Sequence, residues 1–134
     1  MKHLFKDHAA IIITGPEGCG KSILARTIAD SCGSNMTVMQ STLLHRHFMF
    51  YDLHEDVNTV IVEDVTDELI NSDMLQSLIC NREIEVLRPN QKALTMPMPN
   101  FILIKKSGEA IRMHEHDRRF LIIDMASKEP ETIN

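Results

Sequence analysis

The sequence predicts an α/β fold: a mainly parallel sheet covered by helices on both sides, with an inserted β-hairpin. Three observations carry this reading. Short apolar runs recur at residues 9–13, 59–62, 101–104 and 120–123, as expected of strands buried on both faces. Helical patterns alternate with these runs, the order that builds parallel sheets through crossover connections. Between the first run and the first helical pattern lies a glycine-rich octapeptide, GPEGCGKS at residues 15–22.

The elements follow in order. Residues 1–8 read as a polar lead-in or linker. Ala9 to Ile13 reads as the first buried strand and Ser22 to Asp30 as a helix, with Ile23, Leu24, Thr27 and Ile28 sharing a face. Ser31-Cys32-Gly33-Ser34-Asn35 is turn chemistry. A short strand is expected at Met36 to Gln40 and a helix at Leu43 to Tyr51, with Ser41 or Thr42 as N-cap. After a loop at Glu55 to Asn58 comes the strand at Thr59 to Val62. A helix from Asp67 to Cys80 follows, with Leu69, Ile70, Leu75, Leu78 and Ile79 as its core residues. Asn81 to Met98 alternates as a β-hairpin does, with Arg88-Pro89-Asn90-Gln91 at the turn. Strands at Phe101 to Ile104 and Phe120 to Ile123 close the pattern. Residues 127–134 form a polar tail. The whole of 1–134 reads as one domain by length.

Composition narrows the functional classes. No apolar run reaches 18 residues, so no membrane span is indicated. The three cysteines, Cys19, Cys32 and Cys80, are odd in number and widely spaced, which fits a reducing cytoplasm better than a disulfide framework. A net charge of −5 argues against indiscriminate nucleic-acid binding. The charge is unevenly spread. Between Arg82 and Arg119 eight basic residues face five acidic ones, while the remainder of the chain is strongly acidic. The pairs His45/His47 and His114/His116 lack the partners that a zinc site requires.

The octapeptide fits the phosphate-binding pattern G-x-x-x-x-G-K-[ST] without a mismatch. Residues Gly15, Pro16, Glu17, Gly18, Cys19, Gly20, Lys21 and Ser22 are therefore assigned to nucleoside triphosphate binding. Glycines let the backbone curl its N–H groups toward phosphate oxygens. Lys21 brings a cation to the β- and γ-phosphates, the Ser22 hydroxyl suits Mg²⁺, and the following helix adds its positive end. Val60-Ile61-Val62-Glu63-Asp64 has the form of a Walker B element, an apolar strand ending in acids. By position Glu63 serves the Mg²⁺ shell and Asp64 the attacking water. Arg118 and Arg119, ahead of the last strand, suit either an arginine finger reaching a neighbouring subunit's nucleotide or a surface cluster with Glu115 and Asp117.

GPEGCGKSILARTIA resembles the loop and first helix of AAA+ ATPases. Together with IVEDV, the basic hairpin, NFILIKKS and HDRRFLIID, the chain from about Ala9 to Asp124 is similar to superfamily 3 helicases, and especially to phage and plasmid primase-helicase ATPase cores. The resemblance implies a P-loop NTPase fold of the ASCE/AAA+ kind, ATP and Mg²⁺ as cofactors, and a homo-oligomeric, hexameric ring with nucleotide between subunits. It implies ATP hydrolysis coupled to work on single-stranded DNA in replication. It further implies that Lys21 and Ser22 are the loop lysine and metal hydroxyl, and that Glu63 and Asp64 are the Walker B acids. Arg118 or Arg119 corresponds to the finger, and Ser107 to the polar sensor 1 residue. Arg88 and Lys92 flank the turn of a hairpin that grips DNA in the family. Two departures stand out: the family's usual acid order is Asp then Glu, and its sensor is commonly Asn. A nucleotide-dependent assembly module without rapid turnover and a small nucleotide kinase remain as alternatives.

Overall fold

The computed structural model describes residues 10–33, 35–40, 56–73, 75–76, 81, 83–86, 92–106 and 120–125. Five parallel strands make the central sheet: β1 (Ala10–Gly15), β2 (Met36–Gln40), β3 (Thr59–Val65), β6 (Asn100–Lys106) and β7 (Phe120–Asp124), in the order β2-β3-β6-β1-β7. Each predicted strand is present, most of them extended by a residue or more. The hairpin is present as β4 (Glu83–Val86) and β5 (Leu94–Pro97), antiparallel, with Ile84 opposite Met96. Its predicted turn, Arg88 included, lies outside the described residues, as does the helix expected at Leu43 to Tyr51.

Strand alternation divides the core between the two faces of the sheet. Ile11 and Ile13 of β1, Ile61 of β3, and Ile102 and Ile104 of β6 pack with Ala25, Ile28 and Ala29 of helix α1 (Lys21–Cys32). On the other face Ala10, Ile12, Val60, Val62, Phe101 and Leu103 pack with Ile70, Leu75 and the hairpin residues Ile84, Val86 and Met96. Both faces are thus covered, which explains why the strands read as unbroken apolar runs rather than alternating ones.

Two helical expectations are corrected. In α1 the buried stripe is Ala25, Ile28 and Ala29, not a face running through Ile23 and Thr27. Ile23 is 73% exposed, and Thr27 returns its hydroxyl to the Ile23 carbonyl at 2.9 Å. Small alanines let α1 lie close to the sheet, which the bulkier stripe would not. The helix predicted from Asp67 is divided. Helix α2 (Asp67–Ile70) begins at Thr66, whose hydroxyl accepts from Leu69 N–H at 3.1 Å, and ends at Asn71. Ser72 then caps a new helical turn by accepting from Leu75 N–H at 3.2 Å. A serine that bonds its local backbone offers an alternative to helix continuation, and here the alternative wins. Ile70 and Leu75 are buried as expected, and Leu69 is partly buried. Leu78 and Ile79 lie outside the described residues.

The hairpin is joined to the core along one face only. Ile84, Val86 and Met96 are buried, while Glu83, Glu85, Thr95 and Pro97 are exposed. Truncation of Ile84 to Ala should therefore cost about 2–5 kcal/mol, as for a core isoleucine, in urea unfolding. A loss below about 0.5 kcal/mol, typical of surface sites, would show that the hairpin is peripheral.

Candidate active site at the carboxyl end of the sheet

The phosphate-loop residues and the acid pair converge at the carboxyl ends of the strands, where open α/β sheets hold ligands. β1 leads into the loop, α1 follows it, and β6 separates β1 from the acid-bearing β3. A cleft of about 430 Å³ opens there, lined by Glu17, Gly18, Gly20, Lys21, Ser22, Ile23, Glu63, Asp64 and Ile104. That volume is within the usual range for small-molecule sites.

The loop's conformation follows from its residues. Gly18 and Gly20 have φ of 79° and 95°, a left-handed region that other L-residues adopt at a cost. Gly20 is the N-cap of α1, and no side chain caps the helix there. Its first turn also lacks acidic residues. The amide donors of that turn, with the positive end of the helix dipole, are suited to an anion. Lys21 Nζ donates to the Gly15 carbonyl, which folds the cation back along the loop.

Glu63 and Asp64 present the less ordinary geometry. Neighbouring residues of a regular strand point to opposite faces, so only one of two adjacent acids should reach a given cleft. β3 escapes this through a bulge. Val62 pairs with Leu103 and Val65 with Lys105, so Glu63 and Asp64 together span a single residue of β6. Asp64 takes φ 56°. Val65 then rejoins the face of Val60 and Val62 despite its odd spacing from them. Both acids line the cleft as a result. Asp is among the residues that tolerate this backbone region best.

Of the other sequence-assigned residues, Gly15, Pro16 and Cys19 shape the loop without lining the cleft. Cys19 N–H donates to the Pro16 carbonyl at 3.4 Å. Lys92 is exposed beside β5. Arg88, Ser107, Arg118 and Arg119 lie outside the described residues. Three apolar contributors escaped the sequence reading. Ile23 and Ile104 line the cleft, and Met125 follows β7 so closely against the loop that a Cβ on Gly15 would lie 3.3 Å from its own Cβ. The position of Ile104 as the last residue of an apolar strand run was the available clue; Met125 offered none.

Residues 11–104 match the family model AAA, described as the ATPase family associated with various cellular activities. The chain belongs to this family. The AAA match spans the loop, α1, the acid pair, the hairpin and most of β6. Among solved structures the sheet and its helices resemble the apo C-terminal region of NrS-1, at TM-score 0.70 and 21% identity over 97% of this chain and 34% of that one. A second structure of that region gives TM-score 0.68 at 20% identity, again over 97% of this chain and 33% of the other. JCV Helicase with a bound acetamide compound gives 0.58 at 20% identity, over 92% of this chain and 38% of the other. These likenesses are of fold. The AAA chain spans about a third of the length of the NrS-1 structures it matches. No curated protein matches it. No helix among the described residues is long and apolar enough to cross a membrane.

The bulge yields a stability test. Asp64→Asn keeps a residue that accepts the left-handed backbone, whereas Asp64→Val does not. The valine variant should be less stable than the asparagine variant by about 1–3 kcal/mol in urea unfolding. Equal stabilities would mean that residue 64 does not hold this conformation in solution.

Proposed function

We propose that this chain binds ATP·Mg²⁺ and hydrolyses it, as the ATPase core of a superfamily 3 helicase-like protein that assembles into a ring. The observation that carries the reading is the convergence of the uncapped α1 terminus, Lys21 and Ser22 with two carboxylates in one cleft. In this proposal the loop amides and Lys21 hold the β- and γ-phosphates. Ser22 and Glu63 complete the metal shell, and Asp64 orients the attacking water. Bound Mg²⁺ supplies charge neutralisation at the phosphates. Ser107 would sense the γ-phosphate from the end of β6.

Arg118 and Arg119 are assigned to a neighbouring subunit's nucleotide. They immediately precede Phe120 in sequence, and Phe120 opens β7 opposite Ala10 at the amino end of the sheet, away from the chain's own loop. An arginine starting from that end suits another copy's site better than its own. DNA contact is assigned to the hairpin turn, through Arg88 and Lys92. The exposed faces of β4 and β5 carry Glu83 and Glu85, so phosphate contact is favoured at the tip rather than along the strands. The AAA+ ring, its role in replication and single-stranded DNA as partner belong to this proposal. A second reading is nucleotide-dependent assembly without rapid turnover. Asp64 favours it, because aspartate at the water position reaches less far than the usual glutamate.

ATP turnover and equilibrium ATP binding, measured over a range of protein concentrations, separate these readings. Lys21→Ala should abolish binding. Asp64→Asn should retain binding and lose turnover, by about 100-fold or more if it orients the water. Turnover per subunit should rise with protein concentration and again with single-stranded DNA. Arg118→Ala or Arg119→Ala should lower the assembled rate by about 10³-fold. A robust rate untouched by both arginine changes would remove the shared-site mechanism. Binding without turnover would leave the assembly reading.

A further inference from the structure

Lys105 occupies a position where the strand pattern calls for an apolar residue. It follows Phe101, Ile102, Leu103 and Ile104 in β6, between β1 and β3, and is only 4% exposed. A lysine is rarely buried to that degree unless it is paired. Its Nζ lies 2.9 Å from Asp67 Oδ1, at the first residue of α2. That oxygen is buried, so the ion pair is shielded from water. The same residue is the backbone partner of Val65, where β3 returns to register after its bulge. On its other edge it is opposite Thr14 of β1.

Lys105 therefore grips the chain twice just beyond the acid pair: by backbone register at Val65 and by charge at Asp67. Val62 opposite Leu103 fixes the near side of the bulge. Glu63 and Asp64 are held between these two anchors. Without the distal one, a strand carrying a left-handed aspartate could slide back toward regular pairing. Regular alternation would then turn one acid away from the cleft.

We propose that Lys105 is a positioning residue that, through Asp67, holds the β3 bulge in the register that aims both Glu63 and Asp64 into the nucleotide cleft. The aim of the acids matters through the ATP·Mg²⁺ reading above, on which this inference rests for its functional consequence. The register itself does not depend on that reading.

The test compares wild type with Lys105→Met, Asp67→Asn and the double variant. Hydrogen exchange is measured without nucleotide, and ATP affinity is measured with and without Mg²⁺. Methionine fills the lysine's volume without its charge. Asp67→Asn is the milder change if the first fails to fold. Amides of residues 63–66 should exchange at least about tenfold faster in each single variant, while those of β1 and α1 keep their protection. The double variant should be no worse than Lys105→Met alone, since each single change already breaks the Lys105–Asp67 pair. The Mg²⁺-dependent gain in ATP affinity should fall by about tenfold with Mg²⁺-free affinity unchanged, because only the acids lose their aim. Unchanged exchange at residues 63–66, exchange that rises equally in β1, additive effects in the double variant, or an intact Mg²⁺ gain would each overturn the proposal. Wild-type protein that bound no ATP would refute the nucleotide reading instead, and the exchange comparison would still decide whether Lys105 holds the bulge.

Discussion

β6 hydrogen-bonds to β1 along one edge and to β3 along the other, and the candidate site is assembled from what those two neighbours carry. β1 delivers the phosphate loop and β3 delivers the acids. Neither strand touches the other, so the spacing between loop and acids is the width of one intervening strand, set by backbone hydrogen bonds at about 4.8 Å per step. The three strands are pinned by core residues on both faces, Ile11 to Ile13, Val60 to Val62 and Phe101 to Ile104 among them. Removing one of those side chains costs several kcal/mol. The separation of the two chemical groups is therefore set by the buried core of the sheet.

The site itself is built from locally unfavourable choices that this core tolerates. A left-handed aspartate costs on the order of 1–3 kcal/mol. A helix that starts on Gly20 forgoes a few tenths of a kcal/mol that a serine or aspartate cap would have supplied. Burying a lysine carries a desolvation penalty that its ion pair with Asp67 offsets only in part. Each departure places an amide, a cation or a carboxylate where an ordinary residue would have left none. Concentration of such departures at one end of a sheet that is otherwise regular is the pattern expected of a functional site.

Much of this was legible in the residues. The strands were, because burial on both faces leaves no alternation to misread, and so were the loop and its acids, because their residue types are chemically constrained. The hairpin was, through the alternation of Glu83-Ile84-Glu85-Val86. What was not legible turns on local competition. Asn71 and Ser72 look like tolerable helix residues until the serine hydroxyl is seen bonding Leu75 N–H. Ile23 has the character of a core residue, yet the close approach of Ala25 and Ala29 to the sheet decides which face turns inward. The bulge leaves no trace in composition, since two adjacent acids at a strand end look the same whether they diverge or converge. Lys105 read only as part of the run NFILIKKS, and its burial depends on Asp67, distant in sequence.

The amino end of the sheet shows the opposite character. Asn58 N–H donates to the Asn35 carbonyl just before β2, and its own carbonyl accepts from Asn100 N–H at the start of β6, both at 2.9 Å. Its side-chain carbonyl also accepts from the Thr59 hydroxyl at 3.3 Å. One asparagine thus stitches the starts of three adjacent strands together. Register among β2, β3 and β6 is therefore set at their first residues, well before any of these strands brings a side chain to the cleft.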